Sequence, residues 1–168
     1  MADKSEIKGW LTGRVPQDWY AGPPEIDVDD VEILLVGPLR DIDQQDGVDL
    51  GAARMGRVKQ HREDTRDARM RIANEAEKRF GRPVSWGVKV GDRTYLFTHL
   101  AVPVMTRLRM RERAVLDALV DAGVARNRSQ ALAWCVRLVG EHQSEWIDQL
   151  RDAMSRVQEV RDLGPKLN

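Results

Sequence analysis

Met105, Arg107 and Arg109 alternate with Val104, Thr106 and Leu108. A period of two places the first three on one face of a strand and the second three, largely apolar, on the other. An arginine on a free strand face can grip guanine O6 and N7 with two hydrogen bonds, worth roughly 1–3 kcal/mol of discrimination per good contact. Further along, Arg126, Asn127, Arg128 and Ser129 stand where a helix begins, and Gln130 is placed as a capping-box partner of Asn127. The unpaired N–H groups and partial positive charge of a helix start suit a phosphate. The chemistry on offer is recognition of a polyanion.

Bond-making chemistry has little to work with. His61, His99 and His142 are far apart and fall in no metal-ligand spacing. The sequence holds no phosphate-cradling Gly-Lys-Ser/Thr loop, no nucleophile elbow and no zinc-type cysteine cluster. Asp41, Asp43 and Asp46 lack the spacing and closing Glu of a calcium loop, so they are expected in a solvated loop. No catalytic residue, metal or cofactor is expected, and the chain is not read as an enzyme.

The elements that must carry the arginines follow from periodicity. After the alternating stretch, Leu116, Leu119 and Val120 recur at helical spacing until Gly123, which accepts a left-handed C-terminal conformation. A second helix is expected from Asn127, with Ala131, Leu132, Cys135, Val136 and Val139 on its apolar face and Trp134 in a core or an interface. Gly140 should interrupt or bend it. Trp146, Leu150, Met154, Val157 and Val160 then continue an amphipathic pattern to Leu163, before Gly164 and Pro165. A strand and two helices of roughly forty residues bury too little surface to stand alone, and the natural remedy is a second copy.

Residues 102–139 resemble the ribbon-helix-helix DNA-binding family, the MetJ and Arc type. Leu108 sits where that family places the leucine closing its strand, Leu116 and Leu119 follow at its spacing, and Arg126–Leu132 is similar to its turn and second-helix start. The resemblance implies a homodimer in which two strands pair into an antiparallel ribbon that enters the major groove of double-stranded DNA. Met105, Arg107 and Arg109 would then face the bases, and Arg126, Asn127, Arg128 and Ser129 would hold the backbone phosphates.

Composition sets outer limits. Lys+Arg and Asp+Glu both number 27, so net charge advertises no polyanion partner, but the charges are separated along the chain. Residues 1–50 are acidic and residues 51–82 are Arg-rich, which implies either internal docking of one on the other or a basic face aimed at phosphates. The single cysteine, Cys135, excludes an intrachain disulfide and fits a reducing compartment. No secretory signal or membrane-spanning run is recognisable, so a cytoplasmic protein is expected.

Upstream, Gly9, Gly13, Pro16, Gly22, Pro23 and Pro24 suggest an extended arm over residues 1–30, held by Trp10, Trp19 and Tyr20 to its own or a partner's surface. Residues 31–100 should form an α+β module. It comprises a buried strand at Val31–Val36, an acidic loop, one long helix over residues 52–80, and a hairpin from Val84 to Leu100 turning at Gly91. Along that helix Met55, Val58, Arg62, Thr65, Ile72, Ala76 and Phe80 lie near one stripe. Its other arginines, Arg69 among them, are expected outside, as a second candidate for phosphate contact.

The fold class expected is α+β, a strand–long helix–hairpin module followed by a ribbon-helix-helix module with an extra helix over residues 101–168. The function expected is sequence-specific DNA binding in transcriptional regulation, with the N-terminal module docking a protein partner or modulating access. The competing expectation is an assembly factor that keeps the dimer without binding DNA. Single-stranded RNA is disfavoured, because no interleaved aromatic platform is present.

Overall fold

A computed structural model describes residues 3–44 and 46–162. Leu163, Gly164 and Pro165, expected to close the last helix, lie outside the described residues. The chain is mixed α+β and divides into two compact units, Met1–Pro103 and Val104–Asn168.

The first unit is built on a four-stranded sheet in chain order, β1 (Glu25–Val28), β2 (Ile33–Pro38), β3 (Val84–Val90) and β4 (Arg93–Leu96). Its outer pairs are antiparallel and the central pair, β2 with β3, is parallel. Parallel neighbours need a long crossover connection. Helices α2 (Leu50–Asp64) and α3 (Arg66–Phe80) supply it. Alternation along β3 turns Val84, Trp86, Val88 and Val90 to one face, where they join Ile33 and Leu35 of β2. Ile72 and Ala76 of α3 pack on this face beside Val84 and Trp86, while Val58 of α2 packs against Val88 and Val90.

The expected arm is a correction. Residues Lys4–Arg14 form helix α1, and β1 occupies Glu25–Val28, with only a 3-10 turn at Gln17–Trp19 between them. Ile7 and Leu11, one turn apart, are fully buried against the sheet and α3. Burying two such side chains contributes several kcal/mol, which exceeds the cost of about 1 kcal/mol for each helical glycine. Gly9 and Gly13 face open space. Bidentate pairing of Arg14 with Glu75 (2.7 and 2.9 Å), the Arg79–Glu6 pair and the edge-on Trp10–Phe80 contact tie α1 to α3.

The single long helix is a second correction. It breaks at Thr65, whose hydroxyl donates to the His61 carbonyl at 2.6 Å while its backbone leaves helical geometry at ψ −3°. Side-chain bonding to the preceding turn bends helices in this way. The stop at Gly81, in the left-handed conformation at φ 70°, is where the glycine and Pro83 indicate it. Arg69 is not outside but buried. It donates to Thr65 Oγ1 and to the Arg62 carbonyl, and lies 4.8 Å from the centre of the Phe97 ring.

Tyr20 lies over β2 at Gly37, where an added Cβ would come within 2.1 Å of the tyrosine ring. Its ring meets Trp19 and His61, and burial pushes its hydroxyl pKa up to about 12. In the hairpin, Tyr95 and Phe97 pack inward against Val58, Val88 and Val90, whereas His99, expected beside them on a strand, is exposed beyond the end of β4.

Two outcomes follow for this unit. Gly37→Ala drives a methyl into Tyr20 and should lower stability in urea by about 1–3 kcal/mol, whereas Gly56→Ala, with open space around it, should leave it equal or higher. Burial, and then the charge of Arg69, hold the His61 pKa below its ordinary value of 6.5. The unfolded chain therefore takes up a proton near that value that the folded chain refuses, and stability falls as pH drops through the window beneath it. The loss in urea midpoint between about pH 7.5 and about pH 5.5 should shrink in His61→Gln.

Candidate nucleic-acid interface

In the second unit, α4 (Met110–Asp121) and α5 (Arg128–His142) form a helical hairpin, followed by α6 (Ser144–Asp162). Helix α4 starts where the Glu112 carboxylate accepts from the Arg109 backbone N–H at 2.6 Å. It ends at Gly123, φ 75°, with the amides of Val124 and Ala125 both donating to the Leu119 carbonyl. Leu116, Ala125 and Ala131 are buried between α4 and α5, with Leu108, Leu119, Val120, Leu132 and Cys135 packed around them. The three leucines on which the family resemblance rests thus meet in one cluster. Gly140 neither breaks nor ends α5, which runs on to His142 and stops at Gln143.

Residues 102–109 form no strand in the single chain, a departure from the alternating pattern. A lone extended segment has no ladder to join, and backbone pairing needs a neighbouring strand. Leu108 is half-buried, but Met105 is 95 % exposed and Val104 83 %, and Arg107 and Arg109 are open to solvent. Among the described residues no carboxylate lies within ion-pair distance of Arg107, Arg109 or Arg111. Arg113 folds back onto the Leu108 carbonyl at 2.7 Å. The stretch from Arg107 to Arg113 therefore carries four guanidinium groups, and its one carboxylate is engaged with the backbone.

The expected phosphate contacts are only partly available. Arg128 is held by Asp117 of α4 through two hydrogen bonds of 2.6 and 2.8 Å. The hydrogen bond from Arg128 holds the Asp117 carboxyl below the usual range, and the same bond raises the arginine. The guanidinium thus fastens α4 to α5 through Nε and Nη2. The Asn127 side chain accepts from the Gln130 amide at 2.9 Å, so it caps the helix. Gln130 accepts from the Arg126 amide, one residue earlier than a capping box would have it. The Arg126 side chain, the Ser129 hydroxyl and the first backbone amides of α5 remain for an anion.

The Arg-rich helices of the first unit are occupied in the same way. Arg54 binds Asp41 through both carboxylate oxygens and approaches Asp92, and Arg57 donates to the carbonyls of Arg40 and Asp41. The acidic loop docks on the basic helix. Neither this nor the Arg128–Asp117 pair leaves a periodic signal, because the hydrogen-bonded partners lie 11 to 17 residues apart on different elements and Asp92 lies farther still from Arg54. Among the described residues no group of three His, Cys, Asp or Glu side chains could hold a metal ion.

The cap at Asn127 is testable. Asn127→Ala should cost about 1 kcal/mol of stability in the second unit, read as a lower helical melting midpoint, and Asn127→Asp should retain it. An unchanged midpoint in the alanine variant would contradict the cap.

Two family models match the chain: "Rv1265-like protein, N-terminal domain" over residues 5–96, and "Mb1296 C-terminal domain" over residues 109–161. The stretch between them coincides with the irregular segment that joins the two units. The uncharacterized proteins Rv1265 of Mycobacterium tuberculosis (strain ATCC 25618 / H37Rv) and Mb1296 of Mycobacterium bovis are each 53% identical to it over 165 residues. The alignments cover 98% of this chain and 73% of each relative. No solved structure matches it. With a family model over more than half its length and relatives this close along nearly all of it, the chain belongs to the Rv1265-like family.

Proposed function

We propose that this chain is a sequence-specific DNA-binding protein, a dimeric transcriptional regulator of ribbon-helix-helix type. Two copies of Val104–Arg109 pair antiparallel, each strand supplying the backbone partners that the other lacks. Met105, Arg107 and Arg109 of both copies then read base edges in the major groove. Arg126, Ser129 and the first amides of α5 position the dimer on the phosphates, with the Asn127 side chain kept for the cap and the Arg128 side chain for the α4–α5 pair.

The observation that carries this reading is the open state of Met105, Arg107 and Arg109 on a segment without a backbone partner, next to a helical hairpin closed by Leu108, Leu116 and Leu119. The first unit docks a protein partner or controls access to DNA. A groove of about 410 Å³ between α2 and β4, with Met55, Lys59, Arg62, Tyr95 and Leu96 in its lining, supports a docking role. The reading places the protein in the cytoplasm, in keeping with its free cysteine. Among the described residues no helix is long and apolar enough to cross a membrane.

A second reading, an assembly factor that keeps the dimer without DNA, draws on Arg128 being engaged with Asp117. Fluorescence anisotropy with duplex DNA separates the two. Under the DNA reading affinity falls steeply with salt, with a log–log slope of about −0.9 per phosphate neutralised. Arg107→Ala should weaken the preferred site by about 1–3 kcal/mol and flatten the preference among sequences. Absence of binding at low salt would leave the assembly role.

A further inference from the structure

Helix α6 turns an apolar stripe to solvent along its whole length. Trp146, Leu150, Met154, Val157 and Val160 are each between 47 and 69 % exposed. Trp146, Leu150, Ala153, Val157 and Val160 are spaced four, three, four and three apart, the interval of a helix seam packed against another helix. The charged residues Glu145, Asp148, Arg151, Asp152 and Glu159 fall on the remaining faces. Val136 and Val139 of α5, the helix that α6 contacts, are exposed as well.

We infer that this face is a seam between two copies of the chain, α6 packing on its counterpart across the two-fold axis. Three observations favour a second copy as the occupant. The stripe is uncharged and continuous, so it is complementary to itself, as a two-fold interface requires. Its area suits a dimer. The five α6 side chains alone expose on the order of 600 Å², at the upper end of what monomers leave in one patch and most of the roughly 800 Å² that each partner of a stable complex covers. Finally, the second unit buries one leucine and two alanines as its own core, which is too little to hold three helices without further cover. The seam deepens the dimer in the proposed function, and it does not require that the dimer bind DNA.

Sedimentation velocity on the full chain tests it. The wild type should sediment as a dimer, and Leu150→Glu with Val157→Glu should raise the dimer dissociation constant at least about tenfold. The melting of the first unit should stay unchanged. Because that variant could also unwind α6, cysteine pairing supplies a second reading. In a Cys135→Ser background, Ala153→Cys on the stripe should form an interchain disulfide readily, and Ser155→Cys on the charged side should not.

A double variant as dimeric as the wild type, or equal crosslinking at both positions, overturns the seam and leaves the ribbon reading standing. A dimer lost with the stripe but without DNA affinity upholds the seam and removes the DNA reading. A wild type that stays monomeric, with α6 covered by its own chain, overturns both.

Discussion

An extended segment joins a ladder only beside a neighbouring strand, and among the described residues the backbone of Val104–Arg107 makes no hydrogen bond within the chain. Leu108 anchors one end of the segment on the α4–α5 cluster, and the Glu112 carboxylate captures the Arg109 amide where the helix starts. The backbone of Arg109 is thereby fixed at the start of α4. Ahead of these anchors Met105 and Arg107 are open to solvent.

The two units solve their energetics differently. The first buries Ile7, Leu11, Ile33, Leu35, Ile72, Val88 and Val90 completely, and it directs most of its carboxylate–guanidinium contacts inward across elements. Of its two buried guanidinium groups, Arg69 is satisfied by a hydroxyl, a carbonyl and an aromatic face, which lowers the usual penalty of an unpaired buried charge, while Nη1 of Arg82 has no hydrogen-bond partner. The second unit leaves most of its large apolar side chains in water. The first unit thus carries a core of its own, and among the described residues the second buries only Leu116, Ala125 and Ala131.

Periodicity made a good part of this architecture readable from sequence. The alternation of Val84, Trp86, Val88 and Val90 marks β3, Gly81 and Pro83 end α3, and Gly123 ends α4. Helix α1 was obscured because Gly9 and Gly13 are local breakers, and only tertiary burial of Ile7 and Leu11 overrides them. Strand β1 is four residues long with Glu25 and Asp27 facing out, too short for a pattern to register. The break at Thr65, the burial of Arg69 and the Arg128–Asp117 pair depend on which elements come to lie side by side. No spacing within one helix reports that. Of the candidate site, the exposed arginines and the Asn127 cap were legible, and the pairing of Arg128 with Asp117 was not.

The central claim is that two chains pair through Val104–Arg109. The most direct measurement is a filtered nuclear Overhauser experiment on a sample mixing isotope-labelled and unlabelled chains. The account predicts interchain Hα–Hα contacts between residues 104–109 of one copy and the same residues of the other, in antiparallel register. Contacts for these residues confined to a single chain, at concentrations where the protein is fully associated, would contradict it.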